Sequence, residues 1–173
     1  MTLTTAELIG TPAFDGQKNL DSAISIWKKA TSASSAIAVG RIAVRDESTG
    51  LGSLATTGST GQMGVVPKLD PVNVDSDATF NVIDGIGSEI YIEAQGTIKV
   101  GARVMPYTGG KGQQYVAGDV TATPTESTIE SAIKDFQRAP FVYVGHYGEG
   151  SGHGEPATDA TTGDAIRVRK IGV

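Results

Sequence analysis

Apolar and polar residues alternate along much of the chain after residue 35. In one run, Ile90, Ile92 and Ala94 alternate with Tyr91 and Glu93. A period of two places successive side chains on opposite faces of a strand, so such runs predict β-strands. Turns rich in Gly, Ser and Thr separate the runs. This pattern predicts an all-β sandwich or small barrel built from many short strands.

One short motif occurs twice, first as IAVGRI and later as IKVGARV, with Ala102 as an extra residue in the second copy. Two further matches follow in the same order. The matched pairs are residues 37–42 with 98–104, residues 63–65 with 144–146, and residues 87–92 with 163–168. Three matches in one order predict an internal duplication of a β unit.

The duplication divides the predicted β domain, residues 36–173, into two similar units. Their predicted bounds are about 36–96 and 97–173. Gly40 and Gly101 then occupy equivalent positions, each beside a tight bend or a close approach of the backbone.

The first 35 residues differ from the rest of the chain. They show no sustained period and are interrupted by Gly10, Pro12 and Gly16. We therefore expect an extended N-terminal arm over residues 1–35. Such a segment alone cannot bury enough apolar surface to offset its ordering entropy, so we expect it to become ordered on a partner.

The end of this arm fits two kinds of element. Leu20, Ile24 and Trp27 have helical spacing, whereas Ile24 and Ile26 alternate as in a strand. Both interpretations stay open. Trp27 is the single tryptophan of the chain, and we expect it to dock on an apolar surface.

One helix is predicted between the later strands. Ile129, Ile133 and Phe136 fall at i, i+4 and i+7, Thr125 can cap the first turn, and Pro140 stops the run. The pattern predicts a short amphipathic helix inserted into the β fold.

Composition excludes several classes of protein. The chain has 173 residues, no cysteine and a formal net charge of -5. Disulfides and thiolate zinc sites are therefore excluded, and non-specific nucleic-acid binding, which requires a basic surface, is disfavoured. No apolar run is long enough to cross a bilayer, and the N-terminus lacks the pattern of a secretory signal. We expect a soluble chain that binds neither nucleic acid nor membrane.

Residues that carry catalysis are scarce. The two histidines, His146 and His153, have no evident convergent partner of the kind that acid–base catalysis requires. We expect both to have structural or surface roles, and we expect no enzymatic activity and no cofactor.

Two glycine-rich stretches have the composition of phosphate loops without the context. GHYGEGSGHGEP is followed by Pro156 and a polar tail, and the Lys of TGGKGQQ is not followed by Ser or Thr and a helix. Both stretches predict turns.

Four aspartates raise the question of a cation site: Asp70, Asp75, Asp77 and Asp84. Carboxylate oxygens bind calcium, but this spacing does not match an EF-hand. We expect acidic turns and no metal.

Arg167 and Arg169 alternate along the last predicted strand, opposite Ile166 and Val168. The two arginines share a strand face, which forms either a solvated surface or a basic strip for an acidic partner.

The order of these motifs is similar to that of a known family. The second unit reads VGARVMPYTGGKGQQYV, then FVYVGHYGEG, then TTGDAIRVRKIGV, and the first unit carries IAVGRIAVRDESTG, QMGVV and GSEIYIEAQG. Over residues 36–173, the chain resembles the small capsid decoration (cement) proteins of tailed viruses, of the lambda head-stabiliser type. The resemblance implies a β-tulip fold, a homotrimer and an N-terminal arm that reaches onto the shell.

The resemblance also implies a function. The chain would bind the major capsid protein on the outer surface of the virion and stabilise the assembled capsid, after synthesis in the host cytoplasm. The residues expected to contact the capsid are Leu8, Ile9 and Phe14 of the arm, with Arg167 and Arg169 of the last strand.

A second function stays open from the residues alone. Tyr107, Tyr115, Tyr143 and Tyr147 are the side chains that a carbohydrate- or cell-surface-binding module of a viral fibre or adhesin would use.

Overall fold

The computed structural model describes residues 24–30, 37–67, 78–116, 125–150 and 155–172. These residues form ten strands and one α-helix. The predicted all-β class, with a small barrel and one short inserted helix, is confirmed.

Five strands precede residue 84: β1 (Ile24–Lys29), β2 (Ile42–Arg45), β3 (Leu51–Leu54), β4 (Gln62–Val65) and β5 (Thr79–Ile83). Five follow it: β6 (Glu89–Glu93), β7 (Arg103–Tyr107), β8 (Lys111–Gln114), β9 (Phe141–Gly145) and β10 (Ala165–Lys170). Helix α1 (Glu126–Gln137) lies between β8 and β9, and a 3-10 turn (Thr108–Gly110) joins β7 to β8.

The strands form two sheets with the same connectivity. The first is a closed barrel in the order β1-β3-β2-β4-β5, and the second has the order β6-β10-β9-β7-β8. In the barrel, β1 pairs with β3 in the parallel direction. In the second sheet, a parallel bridge between Ala94 and Gly112 makes the corresponding link between β6 and β8. We call β1–β5 the first unit and β6–β10 the second unit.

Strand register makes the two units equivalent residue by residue. Gly40 N–H donates to the carbonyl of Val66 at 2.8 Å, and Gly101 N–H donates to the carbonyl of Tyr143 at 3.0 Å. Both glycines have positive φ, 71° and 78°, which glycine adopts without steric cost. Gly40 and Gly101 are thus equivalent, as the repeated motif predicts.

Equivalent glycines also allow close packing in the two units. A Cβ on Gly52 would lie 2.7 Å from the ring of Phe80, and one on Gly112 would lie 2.5 Å from Cδ1 of Ile92. Each position therefore requires glycine, because a large apolar side chain packs directly against the backbone there.

The core of one unit maps onto the core of the other. The apolar cluster of the first unit contains Trp27, Ile37, Ala43, Val66, Phe80 and Val82. By strand register, their equivalents are Ile92, Ile98, Val104, Tyr143, Ile166 and Val168, all at 0% exposure. All six positions are buried in both units and carry aliphatic or aromatic side chains, which supports the alignment independently of the hydrogen bonds.

The predicted bounds of the arm and the units need correction. β1 lies inside the predicted arm but pairs with both β3 and β5, so it belongs to the barrel. β6 belongs to the second unit, because β6 pairs with β10 as β1 pairs with β5. The described strands thus divide into residues 24–83 and 89–170. Residues 1–23 lie outside the described residues.

The finer matches within the repeat also need correction. Residues 90–92 do not superpose on residues 166–168, because the two strands are neighbours in one sheet, with Ile90 opposite Val168. Ala102 is not an extra residue, since the hydrogen bonds align Gly101–Ala102 with Gly40–Arg41 without a gap. Likewise, Val65 is equivalent to Val142, because both pair with the aligned strand positions Ile42 and Arg103.

The predicted helix is present. Ile129 N–H donates to the carbonyl of Thr125 at 3.0 Å, and Thr128 N–H contacts the Thr125 hydroxyl at 3.4 Å. Two of its apolar side chains are exposed, Ile129 to 46% and Ile133 to 53%.

Candidate interaction surface

The two arginines predicted to form a basic strip lie in different environments. Arg167 is only 2% exposed. Its Nη2 donates to the carbonyl of Glu149 at 2.6 Å, and its Nε lies 3.5 Å from Glu89 Oε2. Arg169 is exposed and forms an ion pair with Glu89. The predicted pair is therefore wrong as an exposed strip, because the loop around Glu149 covers Arg167.

Arg169 instead belongs to a row of side chains that crosses four strands. Strand register places Glu89 opposite Arg169, Arg169 opposite Val142, and Val142 opposite Arg103. We call these four residues the charged row. All four are half-buried or exposed, and Arg103 is held by a hydrogen bond of 3.0 Å from its Nε to the carbonyl of Ala139.

The equivalent row of the first unit is apolar. Ile24 lies opposite Ile83, Ile83 opposite Val65, and Val65 opposite Ile42. We call these four residues the apolar row. Ile42 and Val65 are 0% exposed, and both belong to the apolar cluster that contains the core of the second unit. The same sheet face is thus covered in one unit and open in the other.

Sequence reasoning missed the charged row. Its members are far apart in the chain and come together only through strand pairing. Along β7, Arg103 and Met105 share one face of the strand, opposite Val104 and Pro106. The arginine on that face is a local signal that the face is exposed.

His146 lies in a network of polar side chains. Its Nδ1 is 3.0 Å from both the Tyr143 hydroxyl and Glu149 Oε2, and its Nε2 is 3.4 Å from Asp164 Oδ2. The Tyr143 hydroxyl donates to the carbonyl of Thr158 at 2.7 Å. These contacts tie β9 to the segment that leads into β10.

Electrostatics within this network favour ionised carboxylates. Partial burial opposes ionisation of Glu149, but hydrogen bonds from the backbone N–H groups of Thr158 and His146 outweigh it and lower the pKa to about 2. Burial also opposes ionisation of Asp164, whose pKa is lowered by hydrogen bonds from Thr161. Burial, with the neighbouring Glu149, raises the pKa of Tyr143. The network therefore holds fixed negative charges and a neutral phenol at neutral pH.

Several predicted functional residues do not form a site among the described residues. Leu8, Ile9 and Phe14 lie outside the described part of the chain. Of the four predicted tyrosines, Tyr143 is 0% exposed and cannot contribute to an aromatic binding platform. Tyr147 is 60% exposed and its ring packs beside that of Tyr91.

The aspartate and glycine motifs have structural roles where they are described. Asp84 accepts hydrogen bonds from Ser25 Oγ at 2.9 Å and Gln62 Nε2 at 2.6 Å, and Asp70, Asp75 and Asp77 lie outside the described residues. No group of three or more possible metal ligands occurs in the described part of the chain. In the TGGKGQQ stretch, Thr108–Gly110 form the predicted turn, whereas Lys111–Gln114 form strand β8.

Among the described residues, a cavity lies between the first unit and helix α1. It has a volume of about 560 Å³ and is lined by residues that include Glu47, Gln62, Met63, Lys134 and Arg138. Acidic, basic and apolar side chains all line the cavity. These side chains do not converge on one point, as the groups of a binding or catalytic site would.

In the segments that the structure describes, no helix combines the length and apolar character needed to cross a membrane. No protein-family model matches this chain, and no curated protein matches it.

Proposed function

We propose that this chain is a capsid decoration protein of a tailed virus, which binds the outer surface of the assembled capsid and stabilises it. The motif resemblance over residues 36–173 supports this function. The proposal includes the major capsid protein as partner and the virion surface as location.

The observation that carries the proposal is that the potentially reactive side chains make structural contacts. His146, Glu149 and Asp164 are engaged in contacts that hold β9 and β10 together. Apolar side chains meanwhile remain on the surface, with Ile26 and Ile86 each 71% exposed. This distribution favours a protein that makes contacts over one that performs chemistry.

A decoration protein stabilises the capsid by thermodynamic linkage between its binding and capsid assembly. A ligand that binds the assembled lattice, and not its free subunits, stabilises the lattice by its binding free energy. Many copies on one shell add avidity, because linked contacts act together. We propose that the apolar residues Leu8, Ile9 and Phe14 of the N-terminal segment anchor the chain to the shell. The segment would pair in extended form with an exposed strand edge of the shell.

Co-sedimentation with empty capsid shells tests this function. We expect the full chain to pellet with shells, and a variant lacking residues 2–16 to bind at least tenfold more weakly while unfolding at the same temperature. The triple variant L8S/I9S/F14S, of full length, controls for the shortened chain and should bind as weakly as the deletion. Absence of co-sedimentation by the full chain would contradict the function, whereas equal binding by the deletion variant would exclude the segment as the contact.

A further inference from the structure

Helix α1 presents apolar residues on an outer face. Ile129 and Ile133 are one turn apart and about half exposed, and no helix residue with a described side chain belongs to either buried apolar cluster. The equivalent connection of the first unit, between β3 and β4, has no helix. The helix therefore carries an exposed apolar face that the fold of the second unit does not explain.

This face leads to the cavity between the helix and the first unit. Gln137 follows Ile133 by one further turn, so Ile129, Ile133 and Gln137 lie in one row along the helix. We call these three residues the helix row. Gln137 lines the cavity, and so does Gln62 of the first unit. The helix row thus runs outward from the cavity along the helix.

The chain enters the barrel beside the same cavity. Ser25, near the start of β1, donates its hydroxyl hydrogen to Asp84 at 2.9 Å, and Gln62 Nε2 donates to the same carboxylate at 2.6 Å. Two hydrogen bonds therefore connect the start of β1 to the lining of the cavity. Residues 1–23 lie outside the described residues, and they join the barrel at this point.

The spacing of apolar residues before β1 matches the helix row. Leu20 lies four residues before Ile24, which is about 13 Å along an extended chain. Ile133 lies about 6 Å along the helix from Gln137. An extended segment can therefore pass the cavity and place Leu20 at Ile133.

We propose that the helix row binds the segment before β1, with Leu20 packed against Ile133. Asp21 follows Leu20 and Lys134 follows Ile133, so opposite charges accompany the apolar contact and favour its orientation. Because the segment belongs to the same chain, its effective concentration at the helix is high and a small contact suffices.

The bound segment gives helix α1 a role in the whole molecule. The helix holds the root of the N-terminal segment, and residues 1–19 leave the body of the molecule from that point. The inference concerns the free chain, so its tests do not require a capsid and their outcome is separate from that of the proposed function.

Disulfide trapping tests the contact directly, because the chain has no cysteine. We compare Leu20→Cys/Ile133→Cys with Leu20→Cys/Ile86→Cys, both oxidised with glutathione disulfide. Ile86 is 71% exposed and lies two residues after Asp84, so this control cysteine is also near the start of β1 but outside the helix. We expect a disulfide within one chain to form at least tenfold faster in the Ile133→Cys pair. Equal rates, a faster control, or a disulfide that joins two chains would overturn the proposal.

Trypsin gives a second readout without cysteines. It cleaves after Lys18, two residues before Leu20, and cleavage requires that the segment leave the helix. Ile133→Glu should therefore speed this cleavage at least fivefold, whereas Ile86→Glu should leave the rate unchanged. Glutamate is a good helix former; thermal unfolding checks that both variants fold, and Ile129→Glu replaces Ile133→Glu if that variant does not. Equal cleavage rates in wild type and the folded helix variant would contradict the proposal.

Discussion

At the scale of single residues, the fold depends on glycines at close approaches. Gly109 and Gly110 are neighbours in the turn between β7 and β8, with φ of 75° and 73°. Gly109 has open space where a Cβ would be, whereas a Cβ on Gly110 would lie 2.6 Å from the carbonyl oxygen of Ile42. Of these two glycines, Gly110 is therefore the one that lies in close contact with the first unit.

This difference predicts unequal costs for two alanine substitutions. Gly109→Ala should cost about 1 kcal/mol of stability, from the left-handed backbone alone. Gly110→Ala should cost at least about 2 kcal/mol more, because the turn must move away from β2. Chemical denaturation of both variants measures the difference, and equal costs would show that the turn does not fix the contact.

The carboxylate of Glu149 makes stability depend on pH. Its pKa of about 2 in the folded chain lies below the usual 4.5. A lowered folded pKa gives stability that is complete above about pH 4.5 and is lost as the pH falls toward about 2. The contribution is on the order of 3 kcal/mol at most.

Glu149→Gln should therefore flatten the loss of stability between pH 4.5 and 2. Its amide oxygen can still accept a hydrogen bond, but the side chain has no charge to lose. Glu155→Gln, at an exposed position in the same segment, is the control and should leave the profile unchanged. Unfolding free energies across this pH range provide the measurement, and identical profiles for both variants would contradict the assignment.

At the scale of elements, the two units differ most in one connection. In the first unit, residues 55–61 join β3 to β4, whereas the equivalent connection of the second unit carries helix α1. The helix exposes Ile129 and Ile133. The second sheet takes its register from strand pairing, so the helix is an addition to a unit that is complete without it.

Replacing residues 116–137 with residues 56–60 should therefore leave the second sheet folded. The ends to be joined, Tyr115 and Arg138, are equivalent to Ala55 and Gly61 of the first unit. We expect a change in unfolding free energy of about 1 kcal/mol or less, the scale of surface changes. Loss of cooperative unfolding would show that the helix is required for the fold.

At the scale of the whole molecule, one of the two buried apolar clusters spans both units. The apolar row of the first unit belongs to the same buried cluster as Ile166 and Val168 of the second unit. Separating the units would expose Ile42, Val65 and Ile83 to water, at about 25 cal/mol for each Å² of apolar surface. Neither unit is expected to be stable alone.

We therefore predict a single unfolding transition. Trp27 fluorescence reports the first unit, because Trp27 is 1% exposed within it, and far-ultraviolet circular dichroism reports both units. The two signals should give the same midpoint, as in a two-state transition. Separate midpoints would mean that the units unfold independently.

The sequence by itself determined the local features of this protein. Alternation of Ile90 and Ile92 indicated a strand, and the spacing of Ile129 and Ile133 after Thr125 indicated the helix. These patterns are readable because side-chain direction in strands and helices depends on neighbouring residues.

Only the tertiary structure decided which strands are partners and which faces are covered. β1 looked like part of an arm because its pairing with β5 joins residues far apart in the chain. Arg167 and Arg169 look alike in sequence, yet a loop covers one and leaves the other exposed. The charged row exists only through pairing across four strands. Burial and register depend on contacts between segments that are distant in the chain. The local pattern of a single strand therefore does not indicate which strand it pairs with.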